Sequence, residues 1–135
     1  MVEAEATAAG LTGRVLVVDD EVGVAELIGD ILTDAGYHVE IFNAASEALD
    51  RIHTQSFDAV LSDMQMPSLD GSGFYEALMS IDPAIAKRTG FITGDTLSRD
   101  IAAFLSETSQ PYLEKPVTPS ELLRLVDDLI QRARN

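Results

Sequence analysis

Five short apolar runs alternate with five amphipathic stretches along the 135-residue chain, and this alternation limits the folds that the chain can adopt. The first run, at residues 15–18, is wholly apolar and is followed by Asp19, Asp20 and Glu21. Such a run is typical of a parallel strand that is buried on both faces. Repeated strand–helix units build a parallel sheet that is covered by helices on both sides. We therefore predict an α/β domain over residues 13–133.

The remaining segments follow the same pattern. Val39 and Ile41 alternate with polar residues, which predicts a strand that is solvated on one face and lies at an edge of the sheet. Leu27 and Ile28 belong to the predicted buried face of the first helix, and Gly36 is placed to end that helix. The later apolar segments predict strands at 59–61, 90–92 and 112–113 and helical faces that include Ala48, Phe74, Leu97, Ile101, Phe104 and Leu122.

Composition excludes several classes of function. The chain has 9 Lys and Arg against 23 Asp and Glu, a net charge of -14, which repels nucleic acid and anionic membranes. It contains no cysteine, which excludes thiolate nucleophiles and Cys-ligated zinc. No apolar run approaches the roughly 20 residues of a membrane span. We expect a cytoplasmic domain without nucleic acid or membrane contacts, preceded at residues 1–12 by a disordered lead-in or linker.

Polar residues stand where the predicted strands end. Asp19 and Asp20 follow the first strand, Asp63 the third, Thr93 the fourth and Lys115 the fifth. The carboxyl ends of parallel strands share one edge, where ligands bind. Carboxylates about 4 Å apart repel by ~4 kcal/mol at an effective dielectric of 20, so the cluster needs cations. Oxygen ligands without Cys or His indicate Mg²⁺ or Mn²⁺ beside the lysine.

A divalent cation, an ammonium and a hydroxyl that face one carboxylate suit phosphoryl transfer, because the transferring group spreads negative charge over three oxygens. In this interpretation Asp63 is the nucleophile and forms an acyl phosphate, while Thr93 and Lys115 assist.

The chain resembles the receiver domains of response regulators and hybrid sensor kinases in two-component systems. The resemblance covers residues 14–132 and rests on VLVVDDE at 15–21, LSDMQMPSLDG at 61–71, FITGD at 91–95 and YLEKP at 112–116. It implies a flavodoxin-like (βα)5 fold with strand order 2-1-3-4-5. The lead-in and the FITGD sequence are most like a C-terminal receiver of a hybrid sensor histidine kinase, and a free-standing regulator is the alternative.

The resemblance implies roles for the acidic residues. Asp63 would accept a phosphoryl group from the phosphohistidine of a histidine kinase or histidine phosphotransfer domain. Asp20, Asp63 and the carbonyl of Gln65 would ligate Mg²⁺, with Asp19 acting largely through water. Such a domain catalyses only its own phosphorylation and autodephosphorylation.

The resemblance also implies a switch. Thr93 and Lys115 would each bind a phosphoryl oxygen, and the ring of Tyr112 would turn inward when Thr93 moves. Gln65 and Asp95 would tune the lifetime of the phosphate. The face of the fourth helix, fifth strand and fifth helix would contact partners or form a homodimer.

Two backbone features are implied as well. The bond from Lys115 to Pro116 would be cis, a geometry that is rare outside X–Pro bonds. Pro67 and Gly71 would shape the loop after Asp63, with Gly71 free to take a positive φ.

Two other functions compete with the switch. A Mg²⁺-dependent phosphohydrolase of the haloacid dehalogenase type also uses an aspartyl nucleophile, but it places an Asp where this chain has Gln65 and adds a cap over the substrate. A pseudo-receiver would bind partners without phosphorylation, and the intact set of Asp20, Asp63, Thr93 and Lys115 argues against it. Nucleotide binding is disfavoured because no glycine loop follows the first strand.

Overall fold

The computed structural model describes residues 13–66, 69–94 and 98–134, with the side chains of residues 133 and 134 excepted. The predicted lead-in at 1–12 and the predicted roles of Pro67, Asp95 and Leu97 lie outside the described residues. The described elements are β1 Arg14–Val18, α1 Val22–Asp34, β2 His38–Phe42, α2 Ala45–Thr54, β3 Ala59–Asp63, α3 Gly71–Ile81, a helical turn Pro83–Ala86, β4 Thr89–Thr93, α4 Arg99–Thr108, β5 Tyr112–Glu114 and α5 Pro119–Arg134.

The five strands form one parallel sheet in the order β2-β1-β3-β4-β5. The predicted strand order and the edge position of β2 are therefore confirmed. Between β1 and β3 the order changes direction, and in open α/β sheets this point opens a crevice at the carboxyl ends of the strands.

Alternate residues of β1 supply both core layers. Val15 and Val17 pack with residues of α1 and α5 on one face of the sheet. Leu16 and Val18 pack with residues of α2 and α3 on the other face. Successive side chains of a strand point to opposite faces, so an all-apolar strand serves two layers at once.

A smaller third cluster lies under α4. Met64, which directly follows β3, is buried there with Phe91 of β4 and Leu105 of α4. The rings of Tyr75, Phe91 and Phe104 meet edge to face, with centroids 5.2 to 5.8 Å apart. This cluster connects the residue beside Asp63 to α4.

The predicted buried face of α1 is wrong at one residue. Leu27 is 55% exposed, whereas Ala25 and Gly29 are buried against the sheet. A Cβ on Gly29 would lie 2.6 Å from Cδ1 of Ile41, so the missing side chain lets α1 approach β2 closely. The helix therefore turns its small residues inward, and Leu27 faces outward.

The prediction of one solvated face on β2 is also wrong. Glu40 is half-buried and pairs with Arg14 of β1 at 3.0 Å and with Arg51 of α2 at 2.7 Å. Phe42 packs with the α2–α3 layer on the same side of the strand, whereas Ile41 is 37% exposed. The polar side chain of Glu40 on this edge strand thus indicates ion pairing rather than solvation, whereas His38 is exposed.

The start of α5 carries a local capping signal, and the predicted end of α1 at Gly36 agrees with the structure. Glu121 N donates to Oγ1 of Thr118 at 3.3 Å, and Thr118 N donates to Oε1 of Glu121 at 3.1 Å, which is a capping box at the start of α5. Gly36 follows α1 with a φ of 106°. Within the described ranges, none of the helices has the length and apolar character needed to cross a membrane.

Candidate functional site

Three aspartates meet at the carboxyl edge of the sheet. Asp19 and Asp20 follow β1, and Asp63 is the last residue of the neighbouring β3. One carboxylate oxygen from each lies within 4.8 Å of the others. Asp19 and Asp63 are only 1% and 3% exposed, and Asp20 is half-buried. The structure therefore brings together the carboxylates that the sequence predicted to converge.

Lys115 reaches the same cluster from the loop after β5. Its Nζ lies 3.5 Å from Oδ2 of Asp19 and 3.5 Å from Oδ2 of Asp63. Its shortest contact is with Oε1 of Glu21, at 2.6 Å. The predicted cis bond from Lys115 to Pro116 is confirmed.

Glu21 was not predicted as a residue of the site. It follows the aspartate pair directly and is the N-cap residue of α1. Its backbone N donates to Oδ1 of Asp19 at 2.9 Å. The sequence did contain a signal for Glu21, because it is the third consecutive acidic residue at the end of the motif at 15–21.

Thr93 and Tyr112 lie on the two strands beyond Asp63. Thr93 ends β4, the strand paired with β3, and it is fully buried. Lys115 N donates to the Thr93 carbonyl at 2.8 Å, which ties the lysine loop to the end of β4. Tyr112 pairs with Phe91 in register and is 46% exposed. The switch roles of Thr93 and Tyr112 stay predictions.

The peptide after Asp63 contacts the Asp63 carboxylate. Gln65 N donates to Oδ1 of Asp63 at 3.4 Å, and the Gln65 side chain is exposed. Met64 and Met66 on either side of Gln65 are buried. The loop thus exposes the Gln65 side chain while the two buried methionines anchor the loop.

The reason predicted for Gly71 is wrong, although its position beside the site is as expected. Among the described glycines, only Gly13 and Gly36 have positive φ. Gly71 instead begins α3, and a Cβ there would lie 2.9 Å from Cα of Met64 and 3.0 Å from the Asp63 carbonyl oxygen. Close approach of two backbones is therefore the reason for this glycine.

The electrostatics of the cluster favour a proton or a cation on Asp63. Burial, followed by the charge of Asp19, raises the pKa of Asp63 to about 7, although Lys115 and the N–H of Gln65 oppose this. Burial works to lower the pKa of Lys115, but the hydrogen bond to Glu21 and the charges of Asp63 and Asp19 raise it overall. One ammonium does not neutralise this group of carboxylates.

The donor set fits a hard divalent cation. Oδ2 of Asp19 is buried and accepts no hydrogen bond within the described part of the chain. A buried carboxylate oxygen without a donor is costly, and a cation would relieve that cost. Oxygen ligands are those that Mg²⁺ and Mn²⁺ prefer. The carboxylates of Asp19, Asp20 and Asp63 therefore suit the predicted metal.

An open groove of about 540 Å³ adjoins the cluster on the side of α4. Its lining includes Asp20, Gln65, Ser98, Asp100 and Phe104. The groove leaves the cluster open to a ligand or partner on this side.

Comparison with curated proteins gives a consistent result. A family profile described as "Response regulator receiver domain" matches residues 15–127. A probable transcriptional regulator, ycf29, from Pyropia yezoensis is 30% identical over 122 residues, which is 88% of this chain and 54% of that protein. The sensor histidine kinase GacS from Pseudomonas protegens is 31% identical over 132 residues, which is 92% of this chain and 14% of that protein. The chain thus spans about half of one relative and a small part of the other.

A solved structure agrees in fold. The receiver domain of the sensor histidine kinase PA1611 from Pseudomonas aeruginosa PAO1 was crystallised with a magnesium ion in its active site cleft. It is 25% identical to this chain with a TM-score of 0.78, and the match covers 89% of this chain and 98% of that chain.

Proposed function

Because the chain belongs to the family of response regulator receiver domains, we propose that Asp63 accepts a phosphoryl group from a phosphohistidine on a histidine kinase or phosphotransfer protein. One observation carries the proposal: the buried Asp63 carboxylate lies beside two further aspartates and within 3.5 Å of the Lys115 ammonium. The family places this chain in two-component signalling, and the acceptor role of Asp63 is the specific hypothesis.

In the proposed reaction, a carboxylate oxygen of Asp63 attacks phosphorus as the P–N bond to the donor histidine breaks. The new bond joins phosphorus to that oxygen, and the released imidazole takes up a proton. Asp20, Asp63 and the Gln65 carbonyl would hold a divalent cation, with Asp19 acting largely through water, and the cation would supply positive charge for the phosphoryl oxygens. The Lys115 ammonium and the Thr93 hydroxyl each bind one of those oxygens.

The acyl phosphate then biases the conformation of the domain. Thr93 moves toward the phosphoryl group, and the exposed Tyr112 ring turns inward. This change acts by population shift on the surface of α4, β5 and α5, which contacts partners or forms a homodimer. The third core cluster supports this route, because Met64 beside the acceptor packs in it with Leu105 of α4.

The acidic surface argues against nucleic acid as a partner of this domain. The relative named as a transcriptional regulator is about twice as long as the matched region, so this expectation does not extend to any larger protein. We also propose that the domain catalyses only its own phosphorylation and autodephosphorylation. We propose a cytoplasmic location for the domain.

Phosphorylation is tested by incubating the purified protein with acetyl phosphate and Mg²⁺ and recording its intact mass. Wild type is expected to gain one phosphoryl group, and acetate is released. Asp63→Asn is expected to gain none, because an amide cannot form the acyl phosphate. Omitting Mg²⁺ or adding a chelator is expected to reduce the gain strongly.

The other outcomes separate the alternatives. Rapid hydrolysis of many phosphoesters without a stable adduct would support the phosphohydrolase. An unchanged mass for wild type in the presence of Mg²⁺ would support the pseudo-receiver. An equal gain in Asp63→Asn would refute Asp63 as the acceptor.

Gln65 and Asp95 are proposed to tune the decay of the phosphate, a role that the family resemblance implies for these two positions. Gln65→Ala is expected to change the decay rate several-fold after the donor is removed, as followed by intact mass. Gln131→Ala removes the same side chain from the exposed face of α5 and serves as the control. Equal decay rates in the two variants and wild type would contradict the role of Gln65.

A further inference from the structure

The Lys115 ammonium makes its shortest contact with the most exposed carboxylate around it. Nζ lies 2.6 Å from Glu21, whose side chain is 58% exposed. The same Nζ is 3.5 Å from Asp19 and from Asp63, whose side chains are 2% and 3% exposed. Charges attract more strongly in a buried environment than in water, so the ammonium would be expected to settle on the buried pair.

One oxygen of the buried pair still lacks a donor. Oδ2 of Asp19 accepts no hydrogen bond from any described residue, although the ammonium is close enough to supply one after a small shift. The ammonium instead donates to Oε1 of Glu21, on the exposed side of the cluster. The backbone of Glu21 is itself fixed to the site, because its N–H donates to Oδ1 of Asp19.

We propose that Glu21 is a positioning residue that holds the Lys115 ammonium at the mouth of the site and so keeps the Asp19 and Asp63 oxygens open for a divalent cation. The inference rests on the proposed function only in taking the aspartate cluster as a cation site, and it does not require phosphorylation. An ammonium that moved fully onto Asp19 and Asp63 would compete with the cation for the same oxygens.

A double-mutant cycle on Mg²⁺ binding, measured by isothermal titration calorimetry, tests this role. Glu21→Gln is expected to weaken Mg²⁺ binding by about two- to fivefold, the range that one exposed ion pair is worth. Lys115→Gln is expected to tighten binding, because the competing ammonium is gone. Glu21→Gln in the Lys115→Gln background is expected to change the affinity no further, because Glu21 acts only through the lysine.

Glu26→Gln is the matched control, since it removes the same charge from an exposed position on α1. Its Mg²⁺ affinity is expected to equal that of wild type. Far-UV circular dichroism melts verify that each variant is folded, and Lys115→Met serves as a second lysine variant.

Two outcomes would overturn the proposal. Equal weakening by Glu21→Gln in both lysine backgrounds would mean that Glu21 acts through its charge alone. Unchanged affinity in Glu21→Gln would mean that it does not position the ammonium. Failure of Asp63 to accept phosphate leaves the cycle interpretable, because the measured quantity is cation binding.

Discussion

In Mg²⁺-free buffer at pH 8, Asp63→Asn is expected to be more stable than wild type, by up to about 4 kcal/mol in the free energy of unfolding. Burial and the neighbouring Asp19 raise the pKa of Asp63 to about 7 in the folded protein, from 3.8 for a free side chain. The folded state therefore retains a proton between about pH 4 and pH 7 that the unfolded state has lost. Wild-type stability falls as the pH rises through this window.

The amide variant lacks this dependence at position 63, because it carries no charge in either state. Its advantage over wild type is expected to shrink toward pH 4, where the wild-type carboxyl is largely protonated in both states. Urea unfolding in the presence of a chelator, at several pH values from 4 to 8, measures the difference.

Asp128→Asn provides the control for the pH series. It removes one carboxylate from the exposed face of α5, and no gain in stability is expected. Saturating Mg²⁺ is expected to stabilise wild type and to reduce the advantage of Asp63→Asn, because the cation binds the folded carboxylate cluster. The same pH dependence of stability in wild type and in Asp63→Asn would show that Asp63 is not the cause.

Strand ends explain why so much of the site could be predicted. Asp19, Asp63, Thr93 and Lys115 each stand where an apolar run stops, and a parallel sheet brings such positions to one edge. Wholly apolar runs identify these strands clearly, because a strand that is buried on both faces shows no alternation of polar and apolar residues.

The features that the sequence did not predict depend on the orientation of helix faces and side chains, which a residue pattern does not encode. Leu27 fits the helical spacing, but the close approach at Gly29 sets which side of α1 meets the sheet. The polar spacing of β2 suggested solvent, yet Glu40 pairs with two arginines. The contact of Glu21 with Lys115 was missed because it depends on the direction of the Glu21 side chain.

Gly71→Ala is expected to destabilise the protein by about 1–3 kcal/mol, the usual cost of overpacking a well-packed site. The added methyl would lie 2.9 Å from Cα of Met64 and 3.0 Å from the carbonyl oxygen of Asp63. Those atoms belong to the last residue of β3 and to the buried residue after it, and Gly71 N already donates to the Met64 carbonyl at 3.0 Å. The variant must therefore move α3 away from the peptide that follows Asp63.

Displacement of that peptide is expected to slow phosphorylation of Asp63 by acetyl phosphate by about ten- to a hundredfold, because transfer depends on sub-ångström placement of the reacting carboxylate. Urea unfolding measures the stability, and the initial rate of mass gain measures the reaction. Gly23→Ala is the matched control, because its Cβ would meet no heavy atom within 4 Å. The control is expected to gain up to about 1 kcal/mol from the better helix propensity of alanine and to keep the wild-type rate. Equal stability and equal rates in the two variants would show that α3 does not hold the acceptor in place through Gly71.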